Sequence, residues 1–396
     1  MLGAVCCAGS TCCNCCCTGC NKLGVASKSY SKVSYIILAM SCMIISLIIM
    51  YVGRPLAAKH NFKNCEFGQE ESDECFGQVS VLRMSFALTC FHILMLVILI
   101  PRASFCAAIH DGFWPVKYLV MVGIFVGAWF IKPEFFVVWG NICRGFSILY
   151  LFVQAYFLMN LAYLWNDHLM AAMANKEGEC YAKFLLLGFS ILSTIGSFTW
   201  LGLCYKWFWG CGLNNFILIE STILLVWFYA ASLTRVCNVT LRENYTIFVC
   251  SMVTLYLVYQ LWASLASLPD EKCNELANSK GNTACQIIFG AIFSFITVLS
   301  IATASQTTAQ SNAKKTTTAG ASVVAEQVDE EAKALDEEAA IFPVTIPTLI
   351  FQAVMILCSF YYGMLFINWG DILNDGLVEK TWTSANFSAG VKLSAL

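Results

Sequence analysis

The chain has 396 residues, 59% of them hydrophobic and only 12% charged, with a net charge of -2 and a mean hydropathy of +0.69. A soluble domain is about 25% charged, so a water-solvated globule is excluded, and the lack of a basic block leaves no nucleic-acid partner to expect. The apolar residues run in long stretches, not in the ~10-residue alternating segments of a β-barrel, which defines an all-α membrane protein.

Residues 1–32 form a Cys-rich segment that ends at the first apolar stretch. Cys6, Cys7, Cys12, Cys13, Cys15, Cys16, Cys17 and Cys20 crowd it. Juxtamembrane cysteines on the cytoplasmic side are palmitoylation candidates, and they also pack as small apolar residues at the membrane boundary. Soft-metal binding is the weakest reading, because the run has no His and irregular spacing, so no metal is expected. Leu2 after Met1 argues against N-myristoylation, and the segment lacks the n-region of a cleaved signal peptide.

Nine apolar stretches follow: Val33–Val52, Val79–Ile100, Pro115–Ile131, Phe135–Leu164, Phe184–Trp209, Phe216–Leu233, Tyr245–Leu268, Ala284–Ala304 and Thr348–Trp369. A span needs roughly 20 apolar residues, so residues 33–304 are expected to hold transmembrane helices 1–8. Lys and Arg in short loops set orientation. A cytoplasmic N-terminus leaves fewer of them outside (Arg54, Lys59, Lys63, Lys132, Lys206, Lys272, Lys280) than inside, so that orientation is expected. On it, Cys65 and Cys75 share the first outside loop, Cys204 and Cys211 flank the third, and Cys273 and Cys285 share the fourth. Each pair is a candidate disulfide, with free thiols at the membrane edge as the alternative. The sequons at Asn238 and Asn244 then face the cytoplasm and are expected to stay unused.

The loop before the third stretch reads His110-Asp111-Gly112-Phe113-Trp114-Pro115-Val116-Lys117. Asp111 can N-cap the following helix, Trp114 suits the headgroup belt and Lys117 can snorkel to phosphate. Gly123 and Gly127 form a GxxxG pair, which favours close helix packing. The fourth stretch is too long for one crossing. Pro133 and Glu134 suit a helix start, and no strong breaker follows before Gly178. A helix of about 40 residues is about 60 Å long against a hydrocarbon core of about 30 Å, so it must tilt or project. At its far end Trp165-Asn166-Asp167-His168 forms a second cytoplasmic-edge cluster, and both clusters fit lipid headgroup contact better than bond-breaking chemistry.

Polar side chains at membrane depth cost roughly 2.5–3.5 kcal/mol when ionised and are functional candidates. They are Arg144, Gln154, Asn160, Glu220, Gln260 and His92, with Arg144 and Glu220 as a natural buried pair. Structural glue between helices is the competing role. Residues 305–346 form a polar, acidic cytoplasmic loop with a short surface helix around Val328–Ala339. Residues 347–396 are expected to hold the ninth helix and at most a partial tenth, since the fourteen residues after Trp382, with Lys392 among them, are too few to span. There is no P-loop, zinc-helix motif, nucleophile elbow or Rossmann fingerprint, so no catalytic residue or cofactor is assigned.

The Cys-rich start, the H-x-G-F-W-x-x-K pattern at His110–Lys117, Trp165-Asn166, Thr254-Leu255-Tyr256-Leu257 ahead of Pro269 and Cys273-Asn274, Asn368-Trp369 and Trp382 occur in an order that resembles the serine incorporator (SERINC; TMS/TDE) family. The resemblance implies ten membrane helices in two bundles, joined by a long tilted fourth helix that the eighth crosses. It also implies phospholipid bound in the cleft, and either scrambling of phospholipids between leaflets or promotion of serine incorporation into phosphatidylserine and sphingolipids. The expected partners are membrane lipids, with lipid-synthesis enzymes for an accessory factor or a larger membrane assembly for a structural, lipid-organising subunit. The plasma membrane or an endomembrane is the expected location.

Overall fold

A computed structural model describes residues 31–53, 66–67, 70–71, 73–174, 179–234, 246–268, 272–277, 279–314, 344–369, 371–372 and 378–379. The N-terminal cysteines, Cys65, the side chain of Cys75, both sequon asparagines, the acidic part of the 305–346 loop and Trp382 lie outside the described residues.

Among the described residues there are ten helices. They are α1 (Ser31–Gly53), α2 (Asp73–Leu99), α3 (Ser104–Asp111), α4 (Trp114–Ala128), α5 (Pro133–Ala174), α6 (Glu179–Phe208), α7 (Gly212–Thr234), α8 (Ile247–Leu265), α9 (Lys280–Lys314) and α10 (Ile346–Phe366). The last turn of α1, Ile49–Gly53, is a π-helix. Two short antiparallel pairs, Glu66–Phe67 with Glu70–Glu71 and Asp371–Ile372 with Val378–Glu379, accompany them.

Among the described residues eight single helices are long and apolar enough to cross a membrane, and the bent pair α3–α4 brings the number to the expected nine if it forms one span. That pair holds the third stretch. Its helix α4 has only 15 residues, about 22 Å, and it meets α3 at a bend of 77°. The sequence makes the bend. Gly112 closes α3 by donating its N–H to the Ala108 carbonyl, and Phe113 takes a left-handed conformation at φ 59°. Pro115 then starts α4, where its missing N–H costs nothing. Asp111 is therefore the last residue of α3, and the N-cap position of α4 falls to Phe113, which makes no side-chain cap. The expected Asp111 cap does not form. At the other end of the chain α9 continues to Lys314, well past the expected loop start at residue 305.

The long fourth helix is present as read. α5 has 42 residues with Glu134 in its first turn, and spans about 63 Å. It belongs to two cores. Its first half, including Phe136, Cys143, Tyr150 and Leu151, packs with α1, α2, α4, α9 and α10 in one large apolar cluster. Its second half, at Ala162 and Tyr163, packs with Phe248 and Val249 of α8 and Leu186 of α6. A third cluster joins α6, α7 and α8 around Leu201, Phe208, Leu218 and Trp262. Two helical bundles thus share one long helix, and α9 packs against both α5 and α10.

Candidate functional site

A buried polar cluster sits where α3 turns into α4. The C-terminal carbonyls of a helix lack intrahelical donors and carry the negative end of its dipole. At the end of α3 the His110 carbonyl is satisfied by Ser31 Oγ at 3.1 Å, Tyr35 OH at 3.2 Å and the Lys117 ammonium. Lys117 also lies over the rings of Trp114, at 4.0 Å, and Tyr35, at 4.7 Å. It is only 4% exposed, so it turns into the bundle and does not snorkel outward as expected. Lys32 is buried beside it, over the Phe351 ring.

The His110 side chain continues the network inward. Its Nδ1 is 2.9 Å from the Asp111 carboxylate, and its Nε2 is 3.2 Å from Gln352 Nε2. Gln352 Oε1 is 2.8 Å from His92 Nδ1. A carboxylate only accepts, so in the neutral ring His110 Nδ1–H donates to Asp111 and Nε2 accepts from the Gln352 amide. Gln352 Oε1 must then accept from His92 Nδ1–H. The chain His92, Gln352, His110, Asp111 thus has one direction. His92 Nε2, fully buried, is left as an acceptor with no partner. The arrangement ties α2, α3 and α10 together, and Ser31 Oγ on α1 lies 3.3 Å from the same His110 Nδ1.

A different polar feature runs along α8. At its start Thr246 caps the helix by accepting from the Val249 N–H at 3.4 Å, and its hydroxyl donates to Asn166 Oδ1 on α5 at 2.8 Å. Next come Ser251 and Thr254, the latter 3.1 Å from Tyr229 OH, which donates to Thr194 at 3.1 Å. Gln260 follows, donating to Tyr256 OH, then Ser267 with Gln286 Oε1 at 3.5 Å. Asn274 closes the far end on the Leu268 carbonyl at 2.7 Å. Where the bundles meet, Gln260, Gln286, Tyr259, Tyr361, Asn368 and Trp369 line a narrow, water-sized cavity against Leu151.

The expected site residues fall into separate places. His110, Asp111, Trp114 and Lys117 share the first cluster, whereas Trp165 is exposed and Asn166 is buried against α8. Gln154 is buried on α5 with no hydrogen-bond partner for either amide atom, and Asn160 is half-buried on the same helix. Arg144 and Glu220 do not pair. Arg144 donates to Asn141 at 3.1 Å, and Glu220 is exposed on α7, which packs against α6 and α8. The GxxxG face is also unpaired, since a Cβ added at Gly123 or Gly127 would meet nothing within 4 Å.

Among the described residues one disulfide forms, joining Cys211 to Cys273 with Cα atoms 5.5 Å apart. It links two loops and replaces both expected pairs, Cys204 with Cys211 and Cys273 with Cys285. Cys204 is two turns back inside α6, fully buried in the second core, and Cys285 is exposed on α9; both are free. Asn214 braces the bond by donating to the Cys273 carbonyl at 2.9 Å. Ser31, Tyr35, Gln352 and Arg83 escaped the sequence reading. For Arg83 and Gln352 the signal was a lone polar residue a few positions inside an apolar stretch.

Two cores, a shared 42-residue helix and eight or nine apolar crossings define an α-helical multi-pass membrane protein. The family model described as serine incorporator (Serinc) matches residues 5–395, so the chain belongs to that family. It is 26% identical over 317 residues to a probable serine incorporator of Nematostella vectensis, covering 75% of this chain and 66% of that protein. It is 26% identical over 356 residues to serine incorporator 2 of Bos taurus, covering 80% and 75%, and 25% identical over 291 residues to serine incorporator 3 of Bos taurus, covering 68% and 59%. The matches to the first curated relatives span between 54% and 66% of their length.

Proposed function

We propose that this chain binds phospholipids and lets them pass between leaflets without covalent chemistry. The observation that carries the reading is the polar ladder along α8, from Asn166 and Thr246 at one end to Asn274 at the other. The 19 residues of α8 cover about 28 Å, close to the hydrocarbon thickness. A headgroup crossing the bilayer needs polar partners at each depth, because an unpartnered polar group in hydrocarbon is costly. Here each step offers a neutral hydroxyl or amide, beside a long helix that both bundles share. Bound phospholipid is the expected companion. Disulfides persist in oxidising compartments, so the Cys211–Cys273 end faces outside and the N-terminus faces the cytoplasm in this reading.

The test is reconstitution in vesicles carrying a fluorescent phospholipid, with a membrane-impermeant quencher added outside. Fluorescence falling well below half of its starting value is the expected result, slowed in Gln260→Leu and Thr254→Val. Quenching that stops at half, as in empty vesicles, refutes lipid passage and favours an accessory role in serine-derived lipid synthesis.

A further inference from the structure

Among the described residues Arg83 is the largest fully buried side chain, 2% exposed in the first half of α2. A guanidinium stays charged at any accessible pH, and a buried charge calls for a counter-charge. This one has none. Its Nε has no hydrogen-bond partner, and among the described residues no carboxylate forms an ion pair with it. What it has are walls. The guanidinium carbon lies 4.5 Å from the Trp129 ring centroid and 5.4 Å from that of Phe136. The Phe76 ring lies tilted against Trp129, centroids 5.7 Å apart. Aromatic faces offset part of the desolvation of a cation but leave its hydrogen-bonding edge unsatisfied. The charged neighbours in the α4–α5 turn, Lys132 and Glu134, are exposed.

The place is as informative as the missing partner. The start of α2, the end of α4 and the start of α5 meet there. Along α4, Trp129 is twelve residues past Lys117, about 18 Å. Along α2, Arg83 is nine residues before His92, about 14 Å. Arg83 therefore sits at the opposite end of the first bundle from the His110–Lys117 cluster, near the other membrane face. Trp129 fits the aromatic belt there. The guanidinium fork suits the two oxygens of a phosphate or carboxylate.

We propose that Arg83 is an anion-binding residue that takes the phosphate or carboxylate of a net-anionic lipid headgroup, one without its own cationic group to balance the charge, from the leaflet opposite the His110–Lys117 cluster, between the Trp129 and Phe136 rings. The proposal rests on the lipid-handling reading only for the source of the anion.

The test uses the full chain in nanodiscs of phosphatidylcholine alone, of phosphatidylcholine with phosphatidylglycerol, and of phosphatidylcholine with added inorganic phosphate. The readout is the thermal unfolding midpoint. Phosphatidylglycerol should raise the midpoint of the native chain. Arg83→Met keeps an apolar stem between the rings, so it should unfold at or above the native midpoint in phosphatidylcholine and lose the rise. If Arg83→Met does not fold, Arg83→Lys, which keeps the charge without the fork, should retain only part of the rise. A flat response in the native chain overturns the proposal, and so does a full rise in either variant. A rise of equal size with inorganic phosphate keeps the anion site but overturns the lipid as its source. Loss of lipid passage with the phosphatidylglycerol response intact refutes the proposed function and leaves this site standing.

Discussion

The two bundles bury different chemistry. Among the described residues every buried Lys and Arg (Lys32, Arg83 and Lys117) belongs to the first bundle, together with both buried histidines. The described residues of the second bundle bury only neutral polar groups, such as Ser193, Asn214, Ser251, Thr254 and Gln260, and a disulfide closes it. Charges in a low-dielectric interior cannot change partners cheaply. Interhelical bonds between neutral groups in membranes average about 0.6 kcal/mol and can. The first bundle is thus built as a fixed body, and the second as one whose polar contacts can exchange while a covalent clasp holds its end.

Four experiments bear on that contrast. The largest effect is expected from Gln352→Leu, which leaves His92 Nδ1 and His110 Nε2 buried without partners. It should cost about 2–4 kcal/mol in unfolding measurements. The neutral counterpart Gln260→Leu should cost about 1 kcal/mol or less, and equal losses would break the comparison. Cys211→Ser should destabilise by about 2–4 kcal/mol at most, because it opens a loop of 62 residues. Hydrogen exchange should then quicken in α6–α8 and stay unchanged in α2 and α10. Gly363→Ala should cost about 1–3 kcal/mol by overpacking, since its Cβ would lie 2.8 Å from Ser85 Oγ and 3.0 Å from Ser85 Cβ. Its melting curve should shift regardless of lipid composition. The smallest effect concerns Arg144 and Glu220. A double-mutant cycle with Arg144→Gln and Glu220→Gln should give a coupling within about 0.5 kcal/mol of zero, and a larger value would mean that the two charges meet after all.

Features set by one contiguous segment were legible in the sequence. α5 could be read because Pro133, Glu134 and an unbroken apolar run are local facts. The bend before α4 was half legible. Gly112 and Pro115 mark a break, but the left-handed Phe113 moves the helix start past Asp111. Features that depend on which segments meet were hidden. His110 and Lys117 stand out in one motif, yet their partners Ser31, Tyr35 and Gln352 lie on helices 75 to 242 residues away. The cysteines were paired by loop neighbourhood, whereas the bond that forms spans two loops brought together by α7 and α8. Arg83 was not singled out, although it lies inside the second apolar stretch, because its aromatic walls Trp129 and Phe136 come from other segments.

The length of α5 has a mechanical consequence. A rod of about 63 Å that lay wholly within a film of about 30 Å would recline about 60° from the normal. Because each end of the rod is embedded in a different core, its inclination cannot alter without swinging one core relative to the other. Bilayer thickness, which differs by a few ångströms among cellular membranes, therefore acts on this molecule as a torque. A thicker film pulls the rod upright, a thinner one lays it down, and the seam beside α8 lies where the swing is felt.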